Sequence, residues 1–438
     1  MTTPEKISDV PMTRPEEMIA SHDGIGRRGT FVELADGRIL FSTNGGRFRT
    51  SPDGGLTWSE SCEGVDADGR SLGHGEGSQV PLADNAIGYA SRYRMTDDSD
   101  QSTCVVFFRS EDGGDTWSRP VRITAPGQDH AQMNGTALRT SSGRIVVPTY
   151  AGMRMASDPE AVRKQSGAYL RDQWVGVGAH DYDPAWCWCS AYYSDDEGHT
   201  WHGNREGEIF IWDEEAMNWN RTAEPTVEEV APGHLLMFMR TELGRLYQSW
   251  SSDNGETWTA PKPTLLAASN SPAQLKRIPS TGDLVVVWSQ ASEEDVERGV
   301  GRSRLSTAVS RSQGAVWEFF QNIDSALEGT RIEPGPLRRV RPRGLVFDRQ
   351  SSQPVRAAEA TIDLPDDYRL TSYPSVFFHC DHMLVGHTNA HFAEDGTYMK
   401  EGRLIVVPVG WLYGGSADRM QRNSFVSNID KRFPPIST

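Results

Sequence analysis

The sequence predicts an all-β protein, a six-bladed β-propeller built from four-stranded antiparallel blades. Three observations carry this reading. An octapeptide, SPDGGLTW at 51–58, returns as SEDGGDTW at 110–117, SDDEGHTW at 194–201, SSDNGETW at 251–258 and, in worn form, SRSQGAVW at 310–317. Upstream of each copy lies a pair of short alternating apolar segments joined by a turn, and a sixth such pair has no octapeptide after it. Helical periodicity is nearly absent. Intervals of 59, 84, 57 and 59 residues between copies mark one supersecondary unit per interval, the longest holding an insertion.

The paired segments read GTFVELADGRILFST (29–43), GSQVPLADNAIGYAS (77–91), NGTALRTSSGRIVVPTY (134–150), EPTVEEVAPGHLLMFMR (224–240), SPAQLKRIPSTGDLVVVWS (271–289) and YPSVFFHCDHMLVGHTN (373–389). Turns such as DG, DN, SG, PG and TG between alternating apolar residues are hairpin signals. A third strand, such as CVVFFRS or LYQSWS, runs into each octapeptide, and the tryptophan opens a fourth. Six units of four strands close radially, which limits exposed sheet edges. RLIVVPVGWLYG at 403–414 is a candidate for closing the ring. The propeller is expected over 25–415, with an insertion at about 151–190, between an N-terminal extension over 1–24 and a C-terminal tail over 416–438. Within the insertion DPEAVRKQSGAYL (158–170) is the best helix candidate. The aromatics of DQWVGVGAHDYDPAWCWC suit a rim that selects substrate, and equally packing or a subunit contact.

Inside the octapeptide, the third-position Asp can accept hydrogen bonds from the turn that follows, while glycine supplies positive φ and the tryptophan packs between sheets. The element is a self-contained folding clip. Its Asp is architectural rather than a calcium or sugar ligand, because nothing else in the repeat supplies convergent ligands. The fifth copy carries Ser312 for Asp and Val316 for Thr.

The 438 residues hold 44 basic and 60 acidic side chains, a net charge of −16, which argues against a nucleic-acid groove. An anionic small substrate stays compatible, since a few converging arginines create a positive site on an acidic protein. No segment is apolar over the ~20 residues a membrane span needs. The N-terminus lacks the basic-then-apolar order of a signal peptide, so the expectation is cytoplasmic, or secreted if a leader was removed. Five cysteines without a CxxC pair point to free buried thiols, not to a disulfide frame or zinc site. No metal or cofactor is expected, and the oligomeric state is open.

The string SxDxGxTW, repeated on a propeller, is the Asp-box, and over roughly residues 25–415 the chain resembles the sialidase (neuraminidase) superfamily and its BNR-repeat relatives. The resemblance implies an acidic carbohydrate substrate whose carboxylate is held by three arginines, a tyrosine nucleophile with a glutamate taking its proton, and an aspartate acid/base. A planar carboxylate suits guanidinium forks, and a phenol with a pKa near ~10 needs an adjacent base to attack. In GRRGTFVELADGR the first arginine is Arg27, or Arg28 if the alignment slips by one. EPTVEEVAPGHLLMFMR supplies Glu224 and Arg240, GRSRLSTAVS offers Arg302 with Arg304 second, and TSYPSVFF offers Tyr373. Glu224 and Tyr373 each open the first strand of a blade, the strand that lines a propeller's channel.

The chain departs from this pattern at the aspartate. The loop between the second and third strands of the first blade is reduced to NGG at 44–46, and Asp53 belongs to the clip. Other blade entrances offer substitutes: His74 and Glu76 in GHGEGSQV, and Asp129, His130 and Asn134 in DHAQMNGTAL. A histidine titrating near neutral pH can protonate a leaving oxygen or remove a proton. His379, His382 and His387 read as structural. The expected activity is exo-hydrolysis of a terminal acidic sugar with a non-standard acid/base, assigned to His74 or His130, with Glu76 and Asn134 contacting substrate. Two alternatives stand beside it: a polysaccharide lyase or atypical glycosidase acting on uronic-acid glycans through His and Tyr, and a non-catalytic glycan-binding propeller.

Overall fold

The computed structural model describes residues 11–12, 18–73, 75–94, 103–124, 129–131, 136–154, 168–170, 173–175, 185–213, 218–220, 222–297, 301–325, 329–330, 332, 345–348, 353–356, 369–393 and 395–414. Six antiparallel sheets form the blades of a propeller. Blade 1 runs Thr30–Glu33, Ile39–Thr43, Arg47–Ser51 and Cys62–Glu63, and blade 2 runs Gly77–Pro81, Ile87–Tyr93, Cys104–Ser110 and Val121–Arg122. Blade 3 has a split inner strand, Asp129–Ala131 and Leu138–Arg139, both paired with Ile145–Arg154, then Ala185–Ser194 and His202–Gly203. Blade 4 comprises Ala223–Ala231, His234–Arg240, Arg245–Ser251 and Lys262–Ala267; blade 5 comprises Ala273–Arg277, Leu284–Ser289, Arg304–Ser310 and Glu318–Ser325.

Blade 6 is made from both ends of the chain. Its inner three strands are Arg369–His379, His382–Phe392 and Tyr398–Pro408, and its outermost strand is Ala20–Asp23, paired to Tyr398–Pro408. Residues 20–23, which the sequence places in the N-terminal extension, are therefore blade residues. The segment at 403–414 contributes to the third strand of this blade and then a 3-10 turn, Val409–Tyr413. Of the helix expected at 158–170, residues 158–167 lie outside the described residues, and Ala168–Leu170 is a short strand paired with Gln173–Val175. Among the described residues no helix is long and apolar enough to cross a membrane.

Each pair of neighbouring blades shares an apolar seam. Between blades 5 and 6, Val285, Val287 and Leu305 pack with Val376, Val385 and Ile405; between blades 6 and 1, Phe31 and Phe41 pack with Leu384 and Leu404. Residues of the inner strands tie neighbouring blades together, bonding each other and the residue leading into blade 5's third strand. Gln79 Nα donates to Thr30 Oγ1 at 3.0 Å, Gln274 Nε2 to Thr226 Oγ1 at 3.0 Å, and Thr371 Nα to the Arg302 carbonyl at 2.6 Å. Buried polar groups so satisfied fix rotation of one blade on the next.

The octapeptides are turns that close on themselves. In the first, the Thr57 amide donates to Asp53 Oδ1 (2.8 Å), Thr57 Oγ1 to Asp53 Oδ2 (2.6 Å), Gly55 Nα to Ser51 Oγ (2.8 Å), and Trp58 Nε1 to the Gly55 carbonyl (3.1 Å). The same set recurs at Asp112, Asp196 and Asp253. In the worn fifth copy Ser312 Oγ still accepts from the Val316 amide at 2.8 Å, with a single oxygen where the others have a carboxylate. All four carboxylates are held below the usual range: the threonine and serine hydrogen bonds outweigh partial desolvation, bringing Asp196 to about 2. Cys104, Cys187 and Cys189 are buried as expected of free thiols, whereas Cys62 and Cys380 are free and exposed, at a strand edge and a hairpin turn.

Candidate functional site

The clips lie where third strands end, while Glu224 and Arg302 lie where a first and a third strand begin; Tyr373, expected to open its strand, is the fifth residue of Arg369–His379, in the half nearer that start. Antiparallel geometry therefore puts the clips and these residues on opposite faces of the ring. Two of the latter share a backbone device. The inner strand of blade 4 shifts register between Ala223 and Thr226, and that of blade 6 between Ser372 and Ser375. The bulged residues are Glu224 (φ 44°) and Tyr373 (φ 57°), each followed by proline. Proline has no amide to pair and disfavours the right-handed helical region for the residue before it, so Glu-Pro writes a bulge at a strand's start and Tyr-Pro one within a strand. The bulge re-aims the side chain, and both are buried in the channel region, Glu224 at 6% and Tyr373 at 4% exposure.

Around them the structure gathers residues from four blades. Tyr373 Oη donates to Glu224 Oε1 at 3.3 Å. Arg240, fully buried, donates from Nη1 to Glu224 Oε2, lies 3.5 Å from Tyr373 Oη, and donates from Nε to Asn270 Oδ1 at 2.5 Å. Arg302 Nη2 donates to the Asn270 carbonyl at 2.7 Å, and its guanidinium carbon is 5.5 Å from the centre of the Tyr373 ring. Arg28 stacks on the same ring at 3.9 Å and donates from Nη1 to Glu76. Burial works against the charge of Arg28, but Tyr373, Glu76 and Glu224 outweigh it and raise its pKa.

Of the two alternatives for the first arginine, Arg28 is the one over the tyrosine. Arg27, the primary expectation, sits beside it, half-buried, with its pKa lowered first by burial and then by the charge of Arg28. Arg28 adopts φ 55°, a left-handed step for a non-glycine residue. Glu76, 8% exposed at the entrance of blade 2, lies within the cluster as the partner of Arg28. Arg304, the second choice at the third arginine, pairs instead with Asp295. His74 and Asn134 lie outside the described residues. His130 belongs to the strand Asp129–Ala131, opposite Ala151, and its side chain is outside the described residues.

The shortened loop of blade 1 is a tight turn folded against its neighbours. Asn44 Nα donates to the Arg27 carbonyl at 3.0 Å and Gly45 Nα to the Gly75 carbonyl at 3.1 Å. That turn carries no carboxylate, and Asp53 is held by its clip on the opposite face. Two residues of the cluster were not anticipated. Asn270 joins Arg240 to Arg302; its context, Asn-Ser-Pro at the entrance of blade 5, parallels Glu-Pro and Tyr-Pro, so proline at a blade entrance was the available signal. Lys400, on the third strand of blade 6, feels the charges of Arg28, Arg302 and Arg27, and nothing in its local sequence marks it. His387 is buried and bonds Asp324 at 3.1 Å, in keeping with a structural role. Chemically, the cluster combines a phenol with a carboxylate in reach, guanidinium forks and a low-dielectric surround.

Among solved structures, a crystal structure of a protein of unknown function from Dyadobacter fermentans aligns over 91% of this chain and 98% of its own, at 14% identity and a TM-score of 0.50. Trypanosoma rangeli sialidase in complex with the inhibitor DANA aligns over 91% of this chain and 57% of its own, at 14% identity and a TM-score of 0.48. A K499G mutant of NanB sialidase from Streptococcus pneumoniae aligns over 93% and 73%, at 12% identity and a TM-score of 0.49. No curated protein matches the sequence. The family model described as the BNR repeat-like domain matches residues 89–382, well over half the chain. Together with the Asp-box turns of its blades, that match makes the chain a member of the BNR repeat-like family.

Proposed function

We propose that the protein is a sialidase-like glycoside hydrolase that releases a terminal acidic sugar. The observation that carries the reading is the position of the Tyr373 hydroxyl, 3.3 Å from Glu224 Oε1 and flanked by Arg28, Arg240 and Arg302. Arg28, Arg240 and Arg302 hold the substrate carboxylate. Tyr373 Oη attacks the anomeric carbon and its proton passes to Glu224, while the bond to the aglycone breaks and its electron pair leaves with the oxygen. Water then attacks the glycosyl-tyrosine and gives its proton to the group, or the solvent, that protonated the aglycone, while the departing phenolate recovers its proton from Glu224. A neutral phenol avoids the repulsion that an attacking carboxylate meets beside the substrate's own carboxylate. The departing oxygen takes its proton from His74, His130 or solvent. Without an aspartate in the 44–46 turn, rate depends strongly on how well the aglycone leaves.

The test uses aryl α-sialosides and aryl uronides with leaving groups of graded acidity. Release of the aryl alcohol by the wild-type chain, steeply faster for better leaving groups, is expected. Tyr373→Phe should then lose about 10³-fold or more of kcat. A variant that keeps most of its rate removes Tyr373 from the nucleophile role. Unsaturated-uronate absorbance in place of aryl release would assign a lyase, and binding without turnover a glycan-binding propeller.

A further inference from the structure

The site carries more positive charge than one carboxylate balances. Its two described carboxylates are already committed, Glu76 to Arg28 and Glu224 to Arg240. Arg302 adds a third guanidinium, directed by its bond to the Asn270 carbonyl. Arg27 and Lys400 then stand beside this set, and among the described residues neither side chain has an ion-pair partner. On a protein of net charge −16, such a local excess calls for an anionic occupant.

The geometry brings Arg27 and Lys400 to one place. Lys400 pairs with Ala390, and Gly402 with Thr388, along the third strand of blade 6. A Cβ on Gly402 would overlap the Gly26 carbonyl and approach Arg27 Nα to 2.9 Å, so this strand lies directly on the Gly26–Arg27 backbone. Lys400 is the next residue on the same side of the strand, one step nearer the substrate face. It is exposed at the rim. Partial desolvation of the ammonium, then the charges of Arg28, Arg302 and Arg27, lower its pKa to about 8. Burial and Arg28 lower that of Arg27. Both shifts come first from burial and then from neighbouring cations, and for Arg27 the charge of Glu76, already paired with Arg28, offsets only part of the shift.

We infer that Arg27 and Lys400 form a second anion subsite beside the carboxylate pocket, and that the preferred substrate is an acidic sugar bearing a second negative group. The inference rests on the acidic-sugar reading above. The chemistry recognised is an oxyanion, a sulfate or phosphate ester or a further carboxylate, placed a few ångströms from the first carboxylate.

Calorimetry on the full chain tests it with paired probes: methyl glucuronide against its 2-, 3- and 4-sulfate esters, and N-acetylneuraminate against its 9-phosphate. At least one dianion should bind about tenfold or more tightly than its parent monoanion, a difference of ~1.4 kcal/mol. Lys400→Met and Arg27→Gln should each remove most of that preference and leave monoanion affinity within about twofold, while Lys400→Arg keeps it. Equal affinity for mono- and dianions in the wild type overturns the subsite and leaves the acidic-sugar reading standing. Equal weakening of both probe types by Lys400→Met overturns it too, as a general field effect. Failure of every probe to bind removes both readings.

Discussion

The two faces of the propeller solve the same problem, seating a carboxylate, in opposite ways. On one face each Asp-box aspartate finds its partners within four residues, as Asp53 does with Ser51 and Thr57. On the other, Glu224 meets Tyr373 across 149 positions and Arg28 meets Glu76 across 48. Local closure makes a turn that folds and decays independently of the others, as the fifth copy illustrates. Long-range closure makes a cluster that exists only when the ring is assembled. Both use left-handed backbone, taken in the clips by glycine and by Glu197, Asn254 and Gln313, and at the cluster by Arg28, Glu224 and Tyr373. Non-glycine residues held there carry strain that the surrounding structure must outweigh.

The contrast can be broken at Arg240. Arg240→Met leaves Glu224 buried without its cation, and we expect a loss of about 3–5 kcal/mol in unfolding free energy together with loss of activity. Denaturant unfolding with a matched activity assay checks both; a stable but inactive variant would separate the cluster from the scaffold.

Asp324 sharpens the contrast, because it closes at long range without touching Tyr373. It bonds His387 at 3.1 Å and Arg403 at 3.2 Å between blades 5 and 6. Burial opposes its ionisation, but His387, Arg403 and Arg369 prevail and hold it at about 2. The folded-state value lies below the unfolded ~3.9, so its stabilisation is complete above about pH 4 and is lost as pH falls through about 2. We expect Asp324→Asn to cost on the order of 2 kcal/mol at pH 7 and to flatten the acid limb of a stability–pH curve. Unchanged stability at pH 7 would show that the pair only offsets its own desolvation.

The smallest effects belong to the clips. Asp253→Ala removes the three hydrogen bonds its carboxylate accepts from Ser251 Oγ and from the Thr257 amide and hydroxyl, and should cost about 1–2 kcal/mol without changing activity. Restoring the fifth copy with Ser312→Asp and Val316→Thr should add about 0.5–1 kcal/mol. Thermal unfolding of the two variants checks both signs.

The sequence made the clips, hairpins and blade count readable because each is a local event: a glycine at positive φ, an alternating pair of strands, a turn of fixed length. Glu224, Arg240, Arg302 and Tyr373 were readable by resemblance, and the proline after Glu224 and Tyr373 records the bulge that aims them. The choice between Arg27 and Arg28 was not, since it rests on which neighbour stacks on Tyr373, a contact between the two ends of the ring. Lys400 was beyond reach, because its proximity to the arginines is set by the packing of Gly402 on Gly26 across the last seam of the ring. The outer strand Ala20–Asp23 was missed for the same reason: its partner lies at the far end of the chain, with Ala20 opposite Val406.

That strand has a kinetic consequence. A nascent chain can form blades 1 to 5 in order as it emerges, but blade 6 waits for Tyr398–Pro408 to return to Ala20–Asp23. Pairings of such sequence separation are the slow part of folding. The residues that follow the returning strand partner are Arg27 and Arg28, and the blade being completed carries Tyr373. Seating Arg28 on the tyrosine thus joins the same two ends of the chain that close the ring, so the cluster and the closure share one set of long-range contacts.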